Sequence, residues 1–182
     1  MRRLFFLIWL FPFVVNAQEF RKCPAFDQEE KWETIESFRK NEADVVNLME
    51  WIVATPPTEQ LVERSAASIF VMEWATKNPN YTFKVELAPY QQLLINEDLM
   101  LAYVIGNIHY AVKHMNKLNA DAQRLAGLKA LLFQVEHSES LSKDKLFKHL
   151  LKANRKGKLN EFDKESVMNQ NTSDLLENNQ VK

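Results

Sequence analysis

The sequence predicts an all-α protein: a single globular multi-helix bundle of six to seven helices around a central apolar helix, preceded by a signal peptide. Glycine occurs only 3 times in 182 residues, too rarely for the many tight turns of a sandwich or barrel. Most apolar residues recur at helical spacing. Residues 81–87 alternate apolar and polar side chains instead, and because a lone strand would lack a partner, we expect an extended linker there.

Residues 1–17 have the layout of a secretory signal peptide. Two arginines precede an apolar run, residues 4–15, and we expect cleavage near Ala17/Gln18. The run is shorter than the ~20 residues that span a bilayer as a helix, which favours cleavage over an uncleaved anchor. We therefore expect an exported protein, periplasmic or secreted, with no transmembrane helix in the mature chain.

The chain divides into a signal peptide, an N-terminal arm, a helical domain and a polar flexible tail, which are residues 1–17, 18–26, 27–157 and 158–182. The tail has few large apolar residues with which to pack. Removing the two arginines of the signal leaves 21 basic and 24 acidic residues, a formal charge of −3. This balance argues against a nucleic acid partner.

Cys23 is the only cysteine, so no disulfide can form within the chain and packing alone must hold the fold. We expect Cys23 to be a free thiol in a poorly ordered arm rather than part of an intermolecular bridge. This sparing use of cysteine suits a bacterial periplasmic or secreted protein better than an animal extracellular module.

The first mature helix is expected over residues 27–40. Asp27 and Glu30 form a pattern like a capping box at its start. A second helix, residues 42–54, ends before two consecutive prolines, which remove a donor and crowd the preceding turn.

A third helix is expected over residues 58–76, with Thr58 as its N-cap. Its apolar residues are spaced to form one side of the helix. The residues predicted to be buried there are Leu61, Val62, Ser65, Ile69, Met72 or Val71, and Trp74.

The central helix is expected over residues 97–116. Residues 99–105 place apolar side chains on nearly every side of this helix, which is typical of a helix surrounded by others. A second membrane span is the alternative interpretation, but Asn107, His109 and Lys113 interrupt the apolar run. Gly106 is expected to permit the close approach of a neighbouring helix.

Two further helices follow the central one. The first covers residues 119–136 and contains Gly127, which lies opposite part of the apolar stripe or at another close crossing. The second covers residues 142–154, with Ser142 as its cap and Gly157 just past its end.

Enzymatic chemistry finds little support in the sequence. Phosphate-binding loops, nucleotide fingerprints and nucleophile elbows need glycine patterns that the chain lacks. His109 and His114 are five residues apart, or about 140° around a helix, so they cannot bind one metal ion together. We therefore expect no cofactor, no metal site and no catalytic residue, and binding rather than catalysis.

The strongest functional signal is the basic segment 143–158, with seven basic residues against Asp144 alone. Several leucines and a phenylalanine give it an apolar side. Such a helix can contact an anionic envelope surface or an acidic protein partner. The alternative is intramolecular, with lysines that are solvated or face the acidic first helix. The candidate contact residues are Lys145, Lys148, Lys152, Arg155 and Lys156.

A second function is a small-ligand carrier or an enzyme with a pocket beside the central helix. Tyr103, His109 and Tyr110 would line that pocket, which would need a volume of about 300 Å³ or more. Aromatic residues at helical spacing are more often part of a core, so core packing is the simpler interpretation of these residues.

Overall fold

The computed structural model describes residues 22–180 except 88–89, 92, 94–95 and 116–118. The signal peptide expected in residues 1–17 lies outside the described residues. Within them there are seven α-helices and no strand, which confirms the all-α prediction. The helices are α1 (Ile35–Lys40), α2 (Glu42–Ala54), α3 (Leu61–Lys77), α4 (Glu97–Lys113), α5 (Ala120–Glu136), α6 (Lys145–Arg155) and α7 (Leu159–Gln180).

The first helix begins later than expected, because Thr34 rather than Asp27 is its N-cap. The Thr34 hydroxyl accepts a hydrogen bond from the Ser37 amide at 3.1 Å. The Asp27 carboxylate instead accepts from the amide of Glu29 in a local turn. Residues 27–34 are therefore not helical, and the predicted start at Asp27 is wrong.

The N-terminal segment is packed rather than poorly ordered from Cys23 onward. The Cys23 amide donates to Gln60 Oε1 at 3.3 Å, and Phe26 packs on Phe70 with their ring centroids 4.9 Å apart. Trp32 lies between Phe38 and Phe70 in the same aromatic cluster. Cys23 is a free, half-buried thiol, and burial followed by the charge of Glu63 raises its pKa.

The core has two parts, and α4 contributes to both. The first part joins α2, α3 and the inner face of α4 to the N-terminal segment, and includes Trp74 and Ile105. The second joins α4 and α5 to α6 and the start of α7, and includes Tyr103 and Leu150. The prediction that the apolar helix is central is thus confirmed, although it ends at Lys113.

The closest helix pair is α4 with α5, and the contact is made at glycine. A Cβ on Gly106 would lie 2.8 Å from the Cβ of Ala130 and 3.0 Å from Gly127 Cα. A Cβ on Gly127 would lie 1.9 Å from Asn107 Nδ2. Both glycines permit the approach of the two backbones, as the sequence predicted for Gly106.

Residues 81–87, between α3 and α4, are extended, as expected. Tyr81 and Phe83 stack on one another and pack against Trp74. Further along, Glu86 O accepts a hydrogen bond from the Tyr103 hydroxyl at 2.7 Å. These contacts bind the segment to both parts of the core.

The third helix buries Val71 and Trp74 as predicted, but the rest of its buried face differs from the prediction. It begins at Leu61 after Gln60, which has a left-handed backbone (φ 46°), so Thr58 is not its N-cap. Val62 and Ile69 are exposed, as is Leu61. The buried face consists of Arg64, Ala67, Ser68, Phe70, Val71, Trp74 and Ala75.

The last helix is the largest departure from the prediction, which placed a flexible tail from residue 158 on. Leu159 is buried, and the Asp163 side chain is fully enclosed. Arg124 of α5 donates to both Asp163 oxygens, from Nε at 2.8 Å and from Nη2 at 2.6 Å, and the Tyr90 hydroxyl donates to Oδ1 at 2.7 Å. The prediction is wrong for residues 159–169, since one buried ion pair and a few apolar contacts hold this helix on α5.

Helix length and apolarity determine whether a helix can span a membrane. Across the part of the chain that the structure describes, no helix is both long enough and apolar enough to cross a bilayer.

Candidate functional site

Four exposed basic residues of α6 and the lysine just after its end form the candidate site, which we call the basic face: Lys145, Lys148, Lys152, Arg155 and Lys156. Phe147, Leu150 and Leu151 on the opposite side of the helix are buried in the second part of the core. Because a helix places residues three and four apart on one side, this packing turns the basic residues towards solvent. All five are exposed.

Both ends of α6 are defined by local hydrogen bonds. Asp144 rather than Ser142 is the cap, since its carboxylate accepts from the Phe147 amide at 3.3 Å. Gly157 ends the helix with φ 69°. The Gly157 amide donates to Asn154 O, and the next amide donates to Ala153 O, which is the Schellman pattern. The predicted role of Gly157 is confirmed.

A groove of about 490 Å³ runs along one side of the basic face. Lys148, Lys152, Arg155 and Lys156 line it, together with the Ser142 hydroxyl and the carboxylate of Glu136. Four cationic side chains around one concave surface attract anions and concentrate them there. The Ser142 hydroxyl already donates to Glu139 O at 3.3 Å, so the lysine and arginine side chains are the donors that the groove offers to an anion.

A second hollow, of about 250 Å³, lies between α6 and α7. Lys152 and Lys156 line this hollow as well as the groove, so they form a ridge between the two. Lys158 adds a third cation, but Glu161 and Glu165 are also present. The hollow is therefore less positive than the groove.

One cation of the face already has an internal partner. Arg155 Nη2 donates to Glu136 Oε1 of α5 at 2.5 Å, and both side chains are largely exposed. Lys145, Lys148, Lys152 and Lys156 make no ion pair with any other described residue. The four lysines are thus available to an outside anion, and the acidic residue that pairs with α6 belongs to α5 rather than to the first helix.

The three residues of the alternative pocket do not converge on one space. Six residues separate Tyr103 from His109, which places them about 120° apart around α4. The Tyr103 ring is fully buried, with its hydroxyl on Glu86 O. His109 Nε2 lies 3.3 Å from Glu50 Oε1 of α2, and Tyr110 stacks on His114.

Burial lowers the pKa of His109, and the nearby Lys113 ammonium adds to this effect. A hydrogen bond from Lys113 lowers the pKa of Glu50. Burial raises the pKa of Tyr103 to about 12. The His109–Glu50 pair joins α4 to α2, and the Tyr103 hydroxyl joins α4 to the extended segment before it. Three or more His, Cys, Asp or Glu side chains do not meet to form a metal site anywhere in the described ranges.

Sequence reasoning missed the polar cluster below the last turn of α5. Gln134 is fully buried there, and its amide donates to Val53 O and Thr55 O. Its Oε1 accepts from Arg64 Nη2 at 3.2 Å. Arg64 was the available signal, because it is the only basic residue in α2 and in residues 61–76 of α3. An isolated arginine among apolar residues needs hydrogen-bond acceptors when it is buried.

Comparison with known proteins identifies no relative: no known family, no characterised protein and no solved structure matches this chain.

Proposed function

We propose that this chain is an exported, non-enzymatic binding protein whose basic face contacts an anionic envelope surface bearing phosphate groups. The observation that carries the proposal is the groove lined by Lys148, Lys152, Arg155 and Lys156. Lysine and arginine bind phosphate as point charges and through forked hydrogen bonds. A leader in residues 1–17 would deliver the protein to the compartment in which such surfaces lie.

The mode of contact follows from how α6 is packed. Its apolar residues Phe147, Leu150 and Leu151 face the core, so they are not available for insertion among lipid tails. Docking is therefore electrostatic, with each basic residue contributing about 1 kcal/mol near an anionic membrane. Because salt screens charges beyond ~10 Å at 0.1 M, we expect binding to weaken steeply as salt is added.

Vesicle co-sedimentation tests the proposal. A chain that begins at Gln18 keeps every described residue and lacks the apolar leader, which could itself bind lipid. We expect it to sediment with vesicles of equal parts phosphatidylglycerol and phosphatidylcholine at about 50 mM salt and to be released at about 500 mM. Pure phosphatidylcholine vesicles should retain little of it.

The decisive variant reverses three charges of the basic face, Lys148→Glu, Lys152→Glu and Arg155→Glu. We expect it to lose at least about tenfold in vesicle affinity. The matched control reverses three exposed lysines outside α6: Lys77→Glu, Lys84→Glu and Lys129→Glu. Equal losses in both variants would show a net-charge effect and overturn the proposal.

A second binding assay distinguishes an acidic protein from a phosphate-bearing surface. Binding to immobilised polyglutamate without binding to the anionic vesicles would contradict a phosphate-bearing surface and indicate an acidic protein instead. If the chain beginning at Gln18 binds neither polyglutamate nor the anionic vesicles, α6 is not a contact surface for anions.

A further inference from the structure

A second concave surface lies between α3 and α4, and it is mostly apolar. Its volume is about 460 Å³, and Leu61, Ile69, Met72 and Leu101 are among its lining residues. Both helices pack against α2 but make few contacts with each other. The groove is therefore the space left open between two helices that share a support.

The apolar side chains of this groove are unusually accessible. Leu61 is 63% exposed and Ile69 is 60% exposed. They belong to the apolar stripe of α3 that the sequence predicted to be buried, whereas α3 actually packs through Ala67, Phe70 and Val71. So α3 has two apolar faces, and only one of them is covered in this chain. An exposed apolar patch of this kind marks a site for another molecule.

The floor of the groove contains polar groups of two kinds. Arg64 Nη1 donates to Ile52 O at 2.6 Å and Thr55 O at 2.9 Å, so this guanidinium mainly holds the chain together. The Ser68 side chain is only 6% exposed, and its hydroxyl has no hydrogen-bond partner among the described residues. A buried hydroxyl without a partner is costly, and an occupant of the groove could supply one.

One exposed charge borders the groove, and it is acidic. Asp98 is one of the lining residues and is exposed. The other charged lining residue, Arg64, is buried, and its guanidinium donates to Ile52 O, Thr55 O and Gln134 Oε1. The surface thus combines an apolar trough with a carboxylate at its margin, and the complementary partner is apolar and cationic.

We propose that this groove binds a cationic amphipathic helix of a partner protein. Leu61 and Met72 are eleven residues apart, so the α3 wall is about 16 Å long, which matches three turns of a bound helix. Apolar residues at i, i+4 and i+7 of the partner would pack on Leu61 and Ile69. A lysine on the same helix would donate to Asp98 and the Ser68 hydroxyl.

A second copy of this chain does not meet these requirements. Among the described residues, its cationic amphipathic helix is α6, and that helix keeps Phe147, Leu150 and Leu151 within its own core. We therefore assign the occupant to a different chain. This inference concerns α3 and α4 and does not depend on the function proposed for α6.

Fluorescence anisotropy with a defined peptide tests the inference. The probe is a labelled 18-residue helical peptide of leucine and lysine, with leucines confined to one face. We expect saturable binding to the chain beginning at Gln18, and binding at least about tenfold weaker for the same peptide with glutamate in place of lysine. A peptide of identical composition in scrambled order should also bind at least about tenfold more weakly, because it lacks an apolar face.

The groove is tested by Leu61→Ser with Ile69→Ser, which should weaken binding of the leucine–lysine peptide about tenfold. Because both side chains are largely exposed, the fold should persist, as circular dichroism will show. The control, Ile35→Ser with Met168→Ser, removes two exposed apolar residues elsewhere and should leave affinity within about twofold.

The role of the acidic margin is tested separately by Asp98→Asn, which should reduce both the affinity and its dependence on salt. Undiminished binding by the Leu61/Ile69 variant, equal binding of the scrambled peptide, or no binding of the leucine–lysine peptide would each overturn the inference. The triple charge reversal in α6 should not weaken binding of this peptide, so failure here and failure of the proposed function are distinguishable.

Discussion

Arg124 and Asp163 form a buried, two-point ion pair that joins α7 to α5. The guanidinium donates through Nε at 2.8 Å and Nη2 at 2.6 Å to the two oxygens of one carboxylate, and Asp163 is 0% exposed. The Asp163 carboxylate raises the pKa of Arg124. Burial, followed by the bond to Asp163, raises the pKa of Tyr90. The pair thus holds a helix whose sequence is otherwise too polar to pack.

Replacing one member of this pair should be strongly destabilising. Asp163→Asn removes the buried counter-charge of Arg124 and leaves only the exposed carboxylates of Asp121 and Glu86. We expect a loss of about 3–5 kcal/mol in the free energy of unfolding. Urea denaturation followed by circular dichroism measures it. The control is Asp121→Asn, which removes the exposed carboxylate that accepts from the same Arg124 Nη2 at 2.9 Å and should cost less than about 1 kcal/mol. Similar losses for the two variants would contradict the special role of Asp163.

Two glycine substitutions should destabilise the protein for different reasons. Gly127→Ala places a Cβ 2.7 Å from Tyr103 O and 1.9 Å from Asn107 Nδ2, so α4 and α5 must move apart, at a cost of about 1–3 kcal/mol. Gly157→Ala meets nothing within 4 Å but keeps φ at +69°, which costs about 1–2 kcal/mol.

Asparagine separates the two mechanisms, because it tolerates a left-handed backbone better than alanine does. In thermal denaturation, Gly157→Asn should be more stable than Gly157→Ala. Gly127→Asn should be less stable than Gly127→Ala, since the larger side chain increases the clash. The opposite order at either position would refute that explanation.

Acidification should weaken the contact between α2 and α4 through His109. Burial and Lys113 hold the pKa of His109 below its ordinary value of 6.5, so the unfolded chain binds a proton more readily than the folded chain. The free energy of unfolding should therefore fall as the pH is lowered from about 7.5 to about 5.5. Glu50 stays ionised across this range, because the hydrogen bond from Lys113 lowers its pKa.

His109→Gln removes the group whose protonation causes this pH dependence. The free energy of unfolding of the variant should therefore change less between the two pH values. Urea titrations at both values provide the measurement. The matched variant is His149→Gln, at an exposed histidine of α6, which should keep the wild-type pH dependence. A His109→Gln protein with an unchanged pH dependence would show that other groups are responsible.

Glu136 should compete with outside anions for the basic face. Its carboxylate accepts from Arg155 at 2.5 Å and lines the main groove. Glu136→Gln would release Arg155 and make the groove more positive, so affinity for anionic vesicles should rise several-fold. The control is Glu139→Gln, which removes a carboxylate that pairs with Lys143 at 2.7 Å outside the groove. A smaller gain for Glu136→Gln than for Glu139→Gln would contradict competition within the groove.

Stability should hardly change in the Glu136 variant, since exposed ion pairs contribute little. An unchanged stability would show that Glu136→Gln alters vesicle binding directly and not through the fold.

Patterns within one helix were predictable, and patterns between helices were not. The sequence identifies α4 as central because apolar residues occur on nearly every side of this helix. It identifies the basic face because its five residues lie within one short segment, residues 145–156. Arg124 and Asp163 are 39 residues apart, so no local pattern reveals their pairing. Composition alone therefore predicted a flexible tail where α7 lies.

The error in α3 has a different cause. Leu61, Val62 and Ile69 are spaced as well for burial as Ala67, Phe70 and Val71 are. Periodicity shows that a helix has an apolar side, but it does not show which of two sides finds a partner. Only the packing on α2 decides this, and the side left over forms the groove.

The last turn of α5 relates the two concave surfaces to each other. Gln134 contacts Arg64 beneath the apolar groove, and Glu136 contacts Arg155 of the basic face. Residues two apart lie about 160° from each other around a helix, so these two contacts point in nearly opposite directions. If the basic face rests on an anionic surface as we propose, the apolar groove would therefore face away from that surface and remain accessible.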